Sequence, residues 1–242
     1  MALHFLVENS SDAAVGDLVS LTGAEAKHAA VVRRLRVGEA VTVGDGAGVW
    51  LTGVAEEVSP SRVEVRVSAR SEESAPHPRI VLAQALAKGD RDELAVQAAC
   101  ELGVDEIVPW QASRSVSRWE GPKAVKGRER WSTIVREAAK QAHRAWVPEV
   151  SPPATTADLA VRAASQRLLL LDPGASTRLS DLEPDGRDIV LVVGPEGGIS
   201  DEELTMLSDA GAERVLLGET VLRTSTAGPA AIAVLSVALG RW

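Results

Sequence analysis

Beyond residue 79 the chain repeats one pattern: a short segment that is apolar at nearly every position, then a stretch with helical spacing. Residues 80–86 (IVLAQAL), 168–172 (LLLLD) and 188–194 (DIVLVVG) are the clearest apolar segments. A strand without a polar face must be covered on both sides, and strands alternating with helices meet that need as a parallel sheet with helices on each face. The expected order is strand 80–86, helix 90–102, strand 104–110, helix 126–145 and strand 168–172. Strand 188–194, helix 201–210, strand 214–218 and a final helix to residue 239 complete it. Ligands of such a sheet are expected beyond the carboxyl ends of its strands.

The first seventy residues follow a different rule. Short alternating runs, VTVGDG, WLTGVAEEV and RVEVRV, are separated by Gly, Asp, Ser and Pro, which predicts a small β-barrel or sheet. One helix interrupts it at TGAEAKHAAVVRRLR, with Thr22 as N-cap and Glu25 completing a capping box. The run SEESAPHPR has the composition of a linker, so the predicted domains are 1–72 and 73–242.

Charge and cysteine content narrow the function classes. The single cysteine, Cys100, excludes an intrachain disulfide and a cysteine-rich metal site, and its helical, largely apolar surroundings predict a packing role. The start MALHFLVENS lacks a cationic leader followed by an apolar run, and no segment has the uninterrupted apolar length of a membrane span. The expectation is a cytoplasmic protein with neither metal nor membrane. A net charge of −8 opposes loose nucleic-acid binding, yet residues 114–144 hold nine basic side chains against three acidic ones. Trp119, Trp131 and Trp146 are interleaved with them, either as stacking faces for unpaired bases or as core residues of a solvated helix.

The sharpest local feature is VVGPEGGISDEEL, where an apolar strand ends at Gly194 and passes through Pro195, Glu196, Gly197, Gly198 and Ile199. It then enters a helix capped by Ser200 with Glu203. Such glycines let a ligand approach the backbone closely. The acidic first turn, Asp201 to Glu203, disfavours a phosphate, and the loop lacks the Lys and Ser/Thr of a P-loop. A ligand with a positive centre and no phosphate matches better. The next loop, LLGETVLRTSTAGPAA, offers Thr224, Ser225 and Thr226 before a helix that is apolar on every side, which predicts burial in the core or against a second subunit.

Four segments in this order, ALAKGDRDELAVQAACELGVDEIVPW, REAAKQAHRAWVPEV, VVGPEGGISDEE and LLGETVLRTSTAG, together with KHAAVVRRLRVGEAVTVGDGAG, resemble the RsmE family. These are 16S ribosomal RNA uracil-N3 methyltransferases of the SPOUT superfamily. The resemblance implies a PUA-like RNA-binding barrel, a SPOUT α/β domain with a deep trefoil knot, and a homodimer. It implies S-adenosylmethionine held by Leu171, Gly194, Pro195, Gly197, Gly198, Ile199, Leu217, Gly218, Leu222, Thr224, Ser225 and Ala227. The methyl acceptor would be one uridine in the decoding region of the small subunit. Two departures stand out: Lys27 where a second histidine is common, and Ser225 where a glutamate is common.

Arg223 and Arg144 are the candidates for stabilising the developing uracil anion, with Glu196 orienting one of them or taking the proton. Their alternative roles are phosphate binding for Arg144, an ion pair across a dimer for Arg223 and loop fixation for Glu196. His28, Arg33, Arg34, Lys88, Arg91, Arg114 and Gln141 are the expected RNA-contacting or loop-positioning residues. A methyltransferase acting on transfer RNA or a ribose hydroxyl, and a noncatalytic RNA-binding assembly protein, share most of these features.

Overall fold

The computed structural model describes residues 2–242, with residue 9 described by its backbone alone. The chain forms two units, Met1–Ala75 with Ala139–Val147, and Pro76–Ala138 with Pro148–Trp242.

In the first unit, β1 (Leu3–Leu6), β2 (Leu18–Thr22), β3 (Ala40–Gly44), β4 (Val49–Val58) and β5 (Arg62–Glu72) form one sheet in the order β1-β3-β4-β5-β2. The β1–β3 pair is parallel and the others are antiparallel. Phe5 on one edge strand and Leu21 on the other belong to the same buried cluster, with Val41, Leu51 and Val65 between them, so the sheet curls around its apolar face. Two bulges in the β4–β5 ladder supply the bend. At one of them a Cβ on Gly53 would stand 2.5 Å from the Arg66 carbonyl oxygen.

The inserted helix departs from expectation. It is α-helical only over α1 (Gly23–Lys27), then widens to a π-helical turn over His28–Val32, in which the Arg33 N–H donates to the His28 carbonyl at 2.9 Å. The expected capping box does not form, since the Thr22 side chain makes no cap hydrogen bond. The Glu25 carboxylate instead accepts from the buried Lys140 ammonium at 2.9 Å.

The second unit is a six-stranded sheet, entirely parallel, in the order β11-β9-β10-β6-β7-β8. Its strands are β6 (Ile80–Ala85), β7 (Glu106–Trp110), β8 (Glu149–Val150), β9 (Arg167–Leu171), β10 (Ile189–Val193) and β11 (Glu213–Val215). The helices are α2 (Arg91–Glu101), α3 (Pro122–Gln141, of which residues 139–141 are counted in the first unit), α4 (Thr156–Arg162), α5 (Asp201–Asp209) and α6 (Thr224–Ala238). Alternation along the strands assigns the faces. Val81, Ala83, Val190 and Val192 pack with Leu159 of α4 and Leu207 of α5. On the other face α6 packs against β6, β10 and α2, and Gly228 of α6 lies so close that a Cβ would meet Leu82 at 2.9 Å.

The basic helix is displaced from its expected bounds, because Pro122 is accepted at the first helical position and the chain leaves the helix near His143, which has a φ of 54°. Two of the three interleaved tryptophans pack within the fold. Trp131 is buried, Trp119 stands edge-on to it with centroids 5.1 Å apart, and a Cβ on Gly127 would collide with Trp119. Trp146, in the first unit, donates its indole N–H to the Glu73 carbonyl at 2.9 Å.

Among the described residues no helix is long and apolar enough to cross a membrane.

Candidate functional site

Parallel strands place all their carboxyl ends on one edge, so the segments that follow β9, β10 and β11 meet there. They enclose a cavity of about 460 Å³ whose wall includes Leu171, Asp172 and Pro173, then Gly194, Pro195, Glu196, Gly198 and Ile199, then Leu216, Leu217, Gly218, Thr220, Val221 and Leu222. Arg91, Val193, Leu204, Val215, Arg223, Thr224 and Ala227 complete it. The loops are joined directly: the Thr224 hydroxyl donates to the Gly194 carbonyl at 2.8 Å.

The glycine loop is shaped by its own residues. The Gly198 N–H closes a four-residue turn onto the Pro195 carbonyl at 2.8 Å, and Gly198 has a φ of +74°, which a side chain would strain. Ser200 and Glu203 form the expected reciprocal cap on α5. Glu203 does more than cap. Its carboxylate also accepts from the Ser113 N–H and hydroxyl and from the Thr156 hydroxyl, each at 2.8 Å, so it ties the end of the glycine loop to two other segments. Burial opposes its ionisation, but these bonds outweigh burial and hold the carboxyl below the usual range.

A Cβ on Gly194 would stand 2.8 Å from Ile199 Cγ1 and 3.2 Å from the Ile199 nitrogen, whereas one on Gly218 would meet nothing within 4 Å. Gly194→Ala is therefore expected to cost about 1–3 kcal/mol in thermal denaturation. Gly218→Ala should change stability by less than about 0.5 kcal/mol. Equal losses in the two variants would show that close packing at Gly194 does not hold the loop.

Most of the expected cofactor-contacting residues line this one cavity. Two do not. Gly197 turns away and packs against Arg114, whose guanidinium donates to the Gly197 carbonyl at 3.2 Å, and Ser225 lies half-buried in the first turn of α6. Arg223 and Glu196 are in the wall, while Arg144 belongs to the first unit and does not line it. The Arg91 guanidinium donates to Glu196 at 2.7 Å and the Lys88 N–H donates to the same oxygen at 3.1 Å. Burial works against the Glu196 charge, but hydrogen bonds from its own backbone, Arg91 and Lys88 prevail, leaving its carboxyl below the usual carboxylate range. His28, Arg33 and Arg34 lie in or just after the π-helical turn, with both arginines exposed and His28 edge-on to Phe5. Gln141 is exposed at the end of α3.

The sequence reading missed Asp172, whose carboxylate accepts from the Gly174 N–H at 2.9 Å and pairs with Arg214. Its place at the carboxyl end of LLLLD was the available signal.

A parallel α/β unit with a mostly apolar, loop-built cavity at its carboxyl edge, in a chain that also carries a small curled sheet, is the architecture of an RNA methyltransferase with an accessory domain. A family model described as an RNA methyltransferase domain matches residues 73–236, and one described as an RNA methyltransferase PUA domain matches residues 21–68. The ribosomal RNA small subunit methyltransferase E of Mycobacterium bovis is 40% identical over 248 residues, covering 100% of this chain and 94% of that one. Two solved structures align with a TM-score of 0.88 and cover 98% of each chain. One is a Neisseria gonorrhoeae ribosomal RNA small subunit methyltransferase E bound to S-adenosylmethionine, 31% identical, and the other a Legionella pneumophila methyltransferase with the same cofactor, 32% identical. The chain belongs to the ribosomal RNA small subunit methyltransferase E family.

Proposed function

We propose that this protein transfers a methyl group from S-adenosylmethionine to N3 of one uridine in the decoding region of 16S ribosomal RNA. The observation that carries the reading is the cavity at the carboxyl edge, assembled from the three loops in which the family's donor-binding motifs fall. The residues fit that donor. Leu171, Val193, Ile199, Leu217 and Leu222 offer apolar walls for a purine ring, and the space beside Gly218 is open. Among the described residues, nothing accepts a hydrogen bond from the backbone N–H groups of residues 217–223, which leaves them to a ligand's heteroatoms. The acidic first turn of α5 remains unsuited to a phosphate.

S-adenosylmethionine, when bound, supplies a sulfonium-activated methyl group. The protein's task is to align the acceptor nitrogen and to handle its proton. N3 lies on the Watson–Crick edge, so the base must be unpaired and turned out to reach the site. Arg223, at the wall of the cavity, is placed to hydrogen-bond a uracil oxygen as negative charge develops. Glu196 is committed to Arg91 and to the Lys88 backbone, and these bonds favour an orienting role over that of proton acceptor.

In this reading residues 1–72 are the PUA-like, barrel-type RNA-binding domain and 73–242 the SPOUT catalytic domain. Arg33, Arg34, Lys88, Arg114, Gln141 and Arg144 hold phosphates or bases of the RNA. The trefoil knot would form by passage of the last segment through the loop between β9 and β10. Two local contacts support it: the Leu216 N–H donates to the Thr177 carbonyl at 2.9 Å, and the 3-10 turn Leu179–Asp181 packs on α6. The protein would act in the cytoplasm as a homodimer, on RNA within the small ribosomal subunit.

Nucleoside mass spectrometry of ribosomal RNA from a strain lacking this gene is the decisive test. Loss of 3-methyluridine from the small-subunit RNA, restored by the purified protein with S-adenosylmethionine, is the expected result. Loss of a ribose-methylated or transfer-RNA nucleoside in its place would overturn the assignment.

A further inference from the structure

β6 is buried at every position, yet its penultimate residue is a glutamine. Gln84 has no exposed surface, and it lies on the same side of the strand as Ile80 and Leu82, facing α6. A primary amide in such a place is a stability liability unless all its groups are bonded. Here they are not: among the described residues Gln84 Oε1 is buried and without a partner, while Nε2 donates to the Ala85 carbonyl at 3.2 Å and to the Thr224 hydroxyl oxygen at 2.9 Å.

The direction of these bonds follows from their chemistry. The opposite orientation of the amide would set Oε1 against the Ala85 carbonyl, so Nε2 must face Ala85 and Thr224. With its oxygen accepting from Gln84, the Thr224 hydroxyl has one proton left, and it goes to the Gly194 carbonyl at 2.8 Å. A one-way chain thus runs from β6 through the first residue of α6 to the end of β10. The N-cap residue Arg223 makes no capping hydrogen bond, so the Thr224 hydroxyl is the side-chain tie seen at the helix start.

We infer that Gln84 is a positioning residue for the donor cavity, fixing the Thr224 hydroxyl so that the loop before α6 stays locked to the glycine loop at Gly194. The inference rests on the proposed reading of the cavity as the S-adenosylmethionine site.

Gln84→Met keeps the volume and removes the amide, and Thr224→Val removes the hydroxyl. S-adenosylmethionine affinity by calorimetry should fall about tenfold in each single variant, the loss of about one hydrogen bond, and by less than about twofold more when the two are combined. The melting temperature of Gln84→Met should stay level or rise, since the unpartnered oxygen is gone. A merely structural residue would lower stability together with affinity. In the protein without added ligand, hydrogen exchange at Thr226 and Ala227, whose N–H groups donate to the Arg223 carbonyl at 2.8 and 2.9 Å, should speed up in Gln84→Met while β7 is unchanged. Failure of the wild type to bind S-adenosylmethionine would overturn the donor reading and with it the cofactor part of this inference, while exchange at Thr226 and Ala227 still decides whether Gln84 fixes the loop. Unchanged exchange and additive affinity losses would overturn the role of Gln84.

Discussion

Arg223→Ala is expected to lower the rate of methyl transfer by about 100-fold or more while S-adenosylmethionine affinity changes less than about threefold. The reason lies in what the side chain lacks. Among the described residues no carboxylate pairs with Arg223, whereas the other wall arginine, Arg91, is paired with Glu196 at 2.7 Å. In the proposed reaction, loss of the N3 proton would leave an anion shared between N3 and the two flanking oxygens, and a guanidinium that stays charged can bond to one of them as it forms. Such a contact is stronger in the transition state than with neutral uracil, so its removal should appear in kcat rather than in KM. Arg223→Lys keeps the charge and loses the planar fork, and recovery of only part of the rate is expected. Single-turnover methylation of small-subunit RNA provides the measurement. Turnover of Arg223→Ala within about threefold of wild type would remove this residue from the chemistry.

Signals confined to one segment are legible in the sequence, and contacts between distant segments are not. Apolar strands are legible because burial on both faces leaves a continuous signal, so 80–86, 168–172 and 188–194 fall on β6, β9 and β10 within a residue or two. The Ser200–Glu203 cap was equally readable, since both partners are local. The Thr22–Glu25 motif has the same local form and failed, because Lys140, more than a hundred residues away, holds the Glu25 carboxylate. Neither α4 nor β8 was foreseen. β8 is too short to carry a pattern, but α4 announces itself in TTAD, where Thr155 and Asp158 cap each other as Ser200 and Glu203 do. Motif order located Glu196, Arg223 and most of the cavity wall. It could not report that Gly197 turns to Arg114, or that Gln84 reaches Thr224 across 140 positions, since contacts of that span leave no periodicity in one sequence.

Glu106→Ala is expected to destabilise the second unit by about 2–4 kcal/mol, somewhat under the full cost of breaking a buried ion pair because Arg162 is only partly buried. Glu106 begins β7, is buried, and accepts from the Arg162 guanidinium at 2.6 Å and from the Ser151 hydroxyl at 2.7 Å, with Arg79 at 3.6 Å. Removing the carboxylate strands the Arg162 charge and the Ser151 hydroxyl together, at the join between β7, β8 and α4. Burial works against the Glu106 charge, but Arg162 and Ser151 outweigh burial and hold the carboxyl below its ordinary value of 4.5. For an acid whose folded pKa is depressed, the stabilisation is fully present above the unfolded value and is lost as pH falls through the folded one. The wild type should therefore lose stability as pH drops below about 4.5, and Glu106→Gln, which cannot titrate, should show a shallower decline there. Arg162→Met serves as the companion variant, because it removes the guanidinium and leaves the carboxylate buried with weaker support. Urea denaturation at neutral pH and across the acid range measures both effects. A Glu106→Gln profile parallel to that of the wild type, or a loss under about 1 kcal/mol in Glu106→Ala, would show that this ion pair does not carry the stability assigned to it.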